Sequence, residues 1–399
     1  MNNSSISLKG IATFFLVLMC VQYIPIEGYK ASDVKIIALL FTPFFWLSFT
    51  PKISKAVIWG AIYLFTITIS ILYNSESFRI TTILYKFFFV FMFIMYYNFI
   101  FKEKIFSPKH FLSVIKGLLY AYIIVLLVQQ VAILSGIRSL PIINLTHFLD
   151  RGLGANSLAI EPSHAARIMT VLMLIFFRMS EVVWGKENML LSKLFRNNKW
   201  LFIGFLWAMI SMGSGTAFVG LGILSLYFMQ RQFVFVLLSG SIIFYFLIPS
   251  INYEPLNRAR ASFEAVQTFD QEVIKKTDYS AASRIVPLIN TLTEIELTEQ
   301  DTWFGKGIDT NATADYLSEE QKVGGISDYG LISYIVSISF VFTCCIRKIL
   351  SLEALIFILL LGAGINNIAY VWGILMLFAT SNYFLKNAEQ FNNCDLRLQ

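Results

Sequence analysis

Three side chains that can carry charge or move a proton stand three residues apart in the segment Ala159-Ile-Glu-Pro-Ser-His-Ala-Ala-Arg167. At this spacing an acid (Glu161), an imidazole (His164) and a guanidinium (Arg167) share about a third of the circumference of a helix. The acid or the imidazole can accept a proton from a hydroxyl group, and the guanidinium can bind a phosphate oxygen. The structural alternative is that Glu161 caps a helix, Arg167 pairs with it and His164 fills space.

Further arginines could add to such a site. Arg151 lies in Arg151-Gly-Leu-Gly154, where small neighbours would let an anion approach closely, and Arg258, Arg260 and Arg284 lie in a polar stretch later in the chain. Because arginine binds phosphate in a bidentate manner, several of these converging on one cavity would suit a pyrophosphate. The alternatives are a solvated loop residue for Arg151, headgroup anchors for Arg258 and Arg260, and a surface salt bridge for Arg284.

For two other charged residues the sequence is compatible with two structural roles each. Asp328, in Ser327-Asp-Tyr-Gly330, is predicted either to cap the helix that begins there or to line the site. Lys86, inside an apolar segment, is predicted either to pair with an acid or to extend its ammonium group outward. The sequence contains no Walker loop, no dinucleotide fingerprint and no Cys/His spacing typical of zinc, so we expect neither ATP hydrolysis nor a metal.

The elements that must position these residues lie in a membrane. Hydrophobic residues make up 57% of the 399 residues and charged residues only 14%, whereas a soluble domain is roughly 45–50% apolar and about 25% charged. This composition excludes soluble enzymes, fibrous proteins and disordered scaffolds. The net charge of +6 is therefore interpreted as a signal of membrane topology, and we expect no nucleic-acid partner.

Apolar runs long enough to span a bilayer predict an all-α polytopic membrane protein with about twelve, and at least ten, transmembrane helices. Pro162 predicts that the sixth helix begins with Glu161 as its N-cap, since proline is favoured at the first helical position. The predicted segments are 11–26, 34–49, 56–73, 80–101, 111–136, 158–177, 200–212, 216–229, 233–251, 326–346, 350–364 and 368–385.

The predicted organisation has four parts. Residues 1–251 hold helices 1–9 and a short outer loop at 137–157, and residues 326–385 hold helices 10–12. Between them lies one large outer loop, 252–325, with helical patterning at 256–276 and at 283–297, where Ser283 is a candidate cap. Residues 386–399 form a cytoplasmic tail. Long loops in compact folds usually carry function or are disordered, and the aromatic residues of this loop favour a packed one.

The basic residues predict the orientation of the helices. With the N-terminus inside, seventeen Lys and Arg residues fall on the inner side, and seven fall in the short outer loops or at the outer ends of helices. The remaining seven lie in the large outer loop. Because short loops rich in Lys and Arg stay in the cytoplasm, both termini are predicted to be cytoplasmic. The charged cluster at Glu161–Arg167 then lies at the outer face.

Three short motifs in this order resemble the bacterial O-antigen polymerases (Wzy-type) of the O-antigen ligase/polymerase group. They are Arg151-Gly-Leu-Gly followed by Glu161-Pro-Ser, then Arg284 followed by Phe304-Gly-Lys-Gly307, and then Ser327-Asp-Tyr-Gly-Leu-Ile332. The layout of helices around one large outer loop is similar as well. Two departures are Ser214-Gly215, where many relatives have a Ser-Arg pair, and the absence of any His after His164, which disfavours the ligase activity of the group.

The resemblance implies a GT-C-like membrane glycosyltransferase of the inner membrane. Such an enzyme moves a growing glycan from undecaprenyl pyrophosphate to the non-reducing end of a new lipid-linked repeat unit, at the periplasmic face and without a metal or other cofactor. It would imply a chain-length regulator protein as a further partner, beside the lipid bilayer. Glu161 or His164 would be the base, and Arg284 would act on the pyrophosphate. The substrate-binding residues would be Arg151, Arg167, Arg258, Arg260 and Asp328.

Two other classes of membrane protein remain as alternatives. A lipid-linked oligosaccharide flippase or other secondary transporter would have a similar length, but it would show inverted repeats, short loops and charges near the middle of the membrane. A membrane O-acyltransferase would need a catalytic histidine in a basic setting on the side of its acyl donor, and no such motif is present. The 74-residue outer loop favours the polymerase over the transporter.

Overall fold

A computed structural model provides the structure of the protein. It describes residues 3–22, 33–49, 52–75, 79–137, 140, 145, 153–185, 191–228, 257, 260–261, 264–265, 267–268, 270–277, 279–293, 295–307, 322–365 and 368–388.

These residues are mostly helical, and no strand occurs among them. The helices are α1 (Asn3–Cys20), α2 (Asp33–Phe49), α3 (Lys55–Tyr73), α4 (Ile80–Phe101), α5 (Pro108–Leu134), α6 (Pro162–Trp184), α7 (Leu191–Asn197), α8 (Lys199–Ser211), α9 (Gly215–Ser225), α10 (Gln271–Thr277), α11 (Tyr279–Thr293), α12 (Gln300–Phe304), α13 (Ile326–Cys344), α14 (Leu352–Leu361) and α15 (Ala369–Lys386).

Eleven of the twelve predicted apolar segments coincide with helices, and the segment 233–251 lies outside the described residues. The boundaries of the first segment are wrong, because α1 begins at Asn3 and ends at Cys20 rather than at residue 26. The chain leaves the helix where Lys35 Nζ donates to the carbonyl oxygens of Val21 (2.9 Å) and Gln22 (3.3 Å). The short helices α7 and α12 were not predicted.

In the large loop, the predicted helical patterning is present in α10 and α11, but Ser283 is not a cap. It lies inside α11, which begins at Tyr279. The alanines before Ser283 favour helix, and Ala282 is buried in a small apolar core with Ile274 and Val286. This core gives the first turns of α11 a packing partner, so the helix begins four residues before the predicted start.

Among the residues that the structure describes, four helices are long and apolar enough to cross a membrane, namely α3, α4, α5 and α13. The helices α1, α2, α8, α9 and α14 contain shorter apolar stretches of 10–17 residues. Large apolar side chains on the outside of the bundle are exposed, among them Phe44, Phe65 and Leu134. Since a soluble surface rarely shows so extensive an apolar area, these side chains indicate contact with lipid.

The interior of the bundle is formed by α6 and α15. The two helices pack on each other, and around them lie α1, α4, α5 and α9. Most side chains of α6 and α15 are buried, including Trp372 and Phe176. Burial around most of the circumference of a helix is typical of such a central position.

Hydrogen bonds between helix ends show that α1 to α6 alternate in direction. At one end of the bundle, Gln22 N–H after α1 donates to the Leu158 carbonyl before α6 (3.1 Å), and Lys86 Nζ near the start of α4 donates to the Ile365 carbonyl before α15 (3.2 Å). We call this the site end. At the opposite end Lys52, after α2, pairs with Glu103, after α4 (2.8 Å).

The large loop packs onto α13 at the site end through backbone contacts. Gly305 and Gly330 both have a positive φ, of 82° and 81°. A Cβ on Gly330 would overlap the Trp303 carbonyl, and one on Gly305 would overlap the Asp328 carbonyl. Lys306 N–H donates to the Ser327 carbonyl (2.8 Å), and Ser70 Oγ of α3 donates to the Phe304 carbonyl (2.5 Å). Glycine is therefore required at both positions.

We expect Gly330→Ala to destabilise the protein. The positive φ alone costs about 1–3 kcal/mol for a residue with a side chain, and the added methyl group also displaces the Trp303 carbonyl. The measurement is the thermal unfolding of purified protein in detergent. Gly117→Ala is the matched control, because its added Cβ meets no atom within 4 Å outside the adjacent backbone of its own helix and alanine is the better helix former. An unfolding temperature of Gly330→Ala equal to that of the control would contradict the close packing.

Candidate functional site

The start of α6 is held in place by α5. The Ser157 N–H donates to Gln129 Oε1 (2.7 Å), and Ser157 Oγ donates to the Tyr122 carbonyl (2.6 Å). Ser157 has a positive φ of 51°, and Asn156 Nδ2 donates to the Ala159 carbonyl (2.5 Å). These buried contacts turn the chain sharply, so that α6 begins at the site end.

Glu161 occupies the predicted N-cap position, and α6 begins at Pro162. Its carboxylate, however, makes no capping hydrogen bond, so the predicted side-chain cap is wrong. The carboxylate is exposed and accepts a hydrogen bond from Ser163 Oγ (3.3 Å). An exposed carboxylate is solvated by water, which removes the need for helix N–H groups as partners.

His164 and Arg167 meet at Tyr370, at the start of α15. The rings of His164 and Tyr370 lie 4.9 Å apart between centroids, and Arg167 Nη1 donates to the Tyr370 hydroxyl (2.5 Å). Both side chains are half-buried. Arg167 Nε is buried and has no hydrogen-bond partner in the described structure. The arrangement therefore offers a proton acceptor beside a cation whose hydrogen bonds are incomplete.

Gln22 completes this cluster, although no motif in the sequence points to it. Its side-chain oxygen accepts a hydrogen bond from the Ile160 N–H (3.1 Å) and lies 3.1 Å from His164 Nδ1. Its side-chain nitrogen is buried without a partner among the residues described. The signal available in the sequence was a single amide residue directly after an apolar helix. Tyr370 was missed for a similar reason, since one tyrosine among eighteen carries no distinguishing pattern.

Lys86 and Asp328 form a second charged group at the site end. Lys86 is 2% exposed, its Nζ lies 4.4 Å from the centre of the Tyr329 ring, and it interacts electrostatically with Asp328. The alternative that Lys86 extends outward is therefore wrong, because carbonyl and aromatic partners are available inside the bundle. Asp328 is not the N-cap residue of α13, because Gly325 occupies that position and Asp328 lies in the first turn.

Most of the other predicted arginines cannot be placed in the site. Arg151 and Arg258 lie outside the described residues, and so does the side chain of Arg284, whose backbone belongs to α11. Arg260 pairs with Glu264 one turn away (2.8 Å). Exposed pairs of this kind contribute little to stability, so a ligand could displace Glu264 at little cost. The pair therefore does not decide between headgroups and substrate as the ligand of Arg260.

A polar cleft of about 180 Å³ lies between the large loop and the start of α13. Its lining includes three carboxylates and two lysines, namely Glu296, Glu299, Asp301, Lys306 and Lys322. Among the residues that the structure describes, no group of three or more His, Cys, Asp or Glu side chains could hold a metal ion. The charges of the cleft are suited to hydrogen bonding with polar groups such as sugar hydroxyls.

No family model, curated protein or solved structure matches this chain.

A double-mutant cycle tests the interaction between Lys86 and Asp328. We expect Lys86→Met and Asp328→Asn each to lower the free energy of unfolding, and the double variant to lose less than the sum, with a coupling of about 0.5–3 kcal/mol. The reason is that either single change leaves the opposite charge without its electrostatic partner. The measurement is unfolding in mixed detergent micelles. Additive effects would show that the two charges do not interact.

Proposed function

We propose that the protein is a polysaccharide polymerase that extends a glycan by one repeat unit at a time. The growing glycan leaves undecaprenyl pyrophosphate and joins the non-reducing end of a lipid-linked repeat unit. The observation that carries the proposal is the half-buried pair of His164 and Arg167 at one end of an apolar helical bundle. Ionisable groups in such a setting usually face a substrate path. The resemblance of three motifs to O-antigen polymerases supports the same function.

The proposed chemistry needs only a base and an anion-binding group. The acceptor hydroxyl oxygen attacks the anomeric carbon of the donor sugar, and its proton passes to the base. The bond between that carbon and the phosphate oxygen breaks, and undecaprenyl pyrophosphate departs with the electron pair. Arginine donors stabilise the negative charge that develops on the leaving group. The energy comes from the broken bond between the sugar and the pyrophosphate, so neither ATP nor a sugar nucleotide is consumed.

Two observations favour His164 over Glu161 as the base. The imidazole is half-buried and contacts Gln22 and Tyr370, so its position is fixed on two sides. The Glu161 carboxylate is exposed, and its one described hydrogen bond is with Ser163, two residues away. A base must be held within reach of the hydroxyl that it deprotonates, and the better-held group meets this requirement.

The proposed topology places the site end at the periplasmic face of the inner membrane. The chain would cross the bilayer about twelve times as a GT-C-like glycosyltransferase, with both termini in the cytoplasm. The large outer loop, residues 252–325, would bring Arg258 and Arg284 to the pyrophosphate beside Arg151 and Arg167. Two features support this arrangement: the positive residues favour it by the positive-inside rule, and the loop contacts α13 and α3 at the site end.

Variants of the two candidate bases test the proposal in cells. We expect His164→Ala, when shown to be present in membranes, to abolish long-chain polysaccharide and to leave lipid A capped with one repeat unit. Glu161→Ala is the matched control, and we expect it to retain long chains because its carboxylate is exposed to solvent. The measurement is the size distribution of the surface polysaccharide by gel electrophoresis.

Two results would contradict this assignment. Long chains made by a His164→Ala/Glu161→Ala double variant would show that neither residue is the base. Lipid A without any repeat unit in the His164→Ala strain would indicate a defect in translocation and would favour a flippase over a polymerase.

A further inference from the structure

Gln22, which follows the end of α1, is buried, and hydrogen bonds hold both its N–H and its carbonyl. It is 7% exposed. Its backbone N–H donates to the Leu158 carbonyl (3.1 Å), and its own carbonyl accepts from Lys35 Nζ (3.3 Å). The side chain therefore projects from a fixed backbone towards the first turn of α6.

The contacts of the side-chain oxygen determine which nitrogen of His164 carries the proton. The Ile160 N–H can only donate, so the amide atom that lies 3.1 Å from it must be the oxygen. His164 Nδ1 lies 3.1 Å from the same oxygen, and so it must be a donor as well. In a neutral imidazole only one nitrogen carries a hydrogen, which leaves Nε2 as the basic nitrogen.

The side-chain nitrogen of Gln22 indicates a ligand. Gln22 Nε2 and Arg167 Nε are both buried and lack hydrogen-bond partners in the part of the chain that the structure describes. They belong to one cluster, since Gln22 contacts His164 and Arg167 contacts Tyr370, whose rings are in contact. Buried donors in native proteins are normally paired. Two unpaired donors beside an imidazole, one of them on a guanidinium, are suited to an anionic oxygen.

We propose that Gln22 has two roles in the site. Its oxygen holds His164 with the proton on Nδ1, so that Nε2 accepts the proton of the acceptor hydroxyl. Its NH₂ group, together with Arg167 Nε, binds an oxygen of the substrate diphosphate. The assignment of a diphosphate rests on the proposed polymerase function, whereas the control of the His164 tautomer does not.

Two substitutions separate these roles. Gln22→Glu keeps an oxygen acceptor for Ile160 and His164 but removes the NH₂ donor. Gln22→Leu removes both. Gln130→Leu is the matched control, because Gln130 is also a buried glutamine at the site end, bonded to Ser211 and Trp207 instead of the cluster.

The tautomer is measured from the ¹⁵N shifts of histidine-labelled, full-length protein in nanodiscs. The chain has three histidines, so the signals lost in His164→Ala identify this residue. The spectra are recorded at a pH high enough that the shifts no longer change with pH, so that the imidazole is neutral. We expect the proton on Nδ1 in the wild type, in Gln22→Glu and in Gln130→Leu. We expect a mixture of the two tautomers in Gln22→Leu. An unchanged His164 tautomer in Gln22→Leu would overturn the positioning role.

Anion binding is measured with inorganic pyrophosphate, from the concentration dependence of the His164 shifts. We expect the Kd to rise by about tenfold or more in both Gln22 variants, as for the loss of one hydrogen bond to a charged ligand. The Kd of Gln130→Leu should stay at the wild-type value. Wild-type binding by Gln22→Glu would overturn the anion-binding role.

If only the proposed polymerase function is wrong, the result differs from a failure of the two roles of Gln22. In that case the tautomer and the pyrophosphate affinity would respond to the variants as stated, but wild-type protein would not lengthen lipid-linked repeat units. The assignment of the anion as a substrate diphosphate would then be wrong.

Discussion

Arg167 and Lys86 bring positive charge into an apolar helical bundle, where each must find polar partners within the protein because a bilayer offers none. Arg167 donates to the Tyr370 hydroxyl, and Lys86 donates to the Ile365 carbonyl. Ile365 lies shortly before α15, and Tyr370 lies in its first turn. The need to satisfy two cations therefore fixes α4, α6 and α15 relative to one another at the site end.

The same constraint limits the size of the site. Ile365 and Tyr370 are five residues apart, so their Cα atoms lie at most about 18 Å from each other. The two charged groups, one built on Arg167 and the other on Lys86, consequently border a single region. The large loop reaches this region as well, because its glycine turn packs on Ser327 and Asp328. Residues from distant parts of the sequence thus meet around one region.

Some of this arrangement could be predicted from the sequence, and particular residues show why. Pro162 marked the start of α6, because the residue disfavours every helical position except the first turn. The spacing of His164 and Arg167 placed them one turn apart, since helical periodicity is local. The side chain of Glu161 was mispredicted, because whether a carboxylate caps or turns to solvent depends on burial, which the sequence does not contain. Gln22 and Tyr370 were missed because their contacts with α6 come from tertiary packing across 142 and 203–206 residues of chain.

The most direct test of the account is reconstitution of the purified protein in liposomes with a lipid-linked repeat unit as the sole substrate. We expect glycans of two or more repeat units to form, with undecaprenyl pyrophosphate released in equal number to the linkages made and with no ATP or sugar nucleotide added. His164→Ala protein should form none. Movement of the repeat unit across the bilayer without any lengthening would contradict the account and would identify a transporter instead.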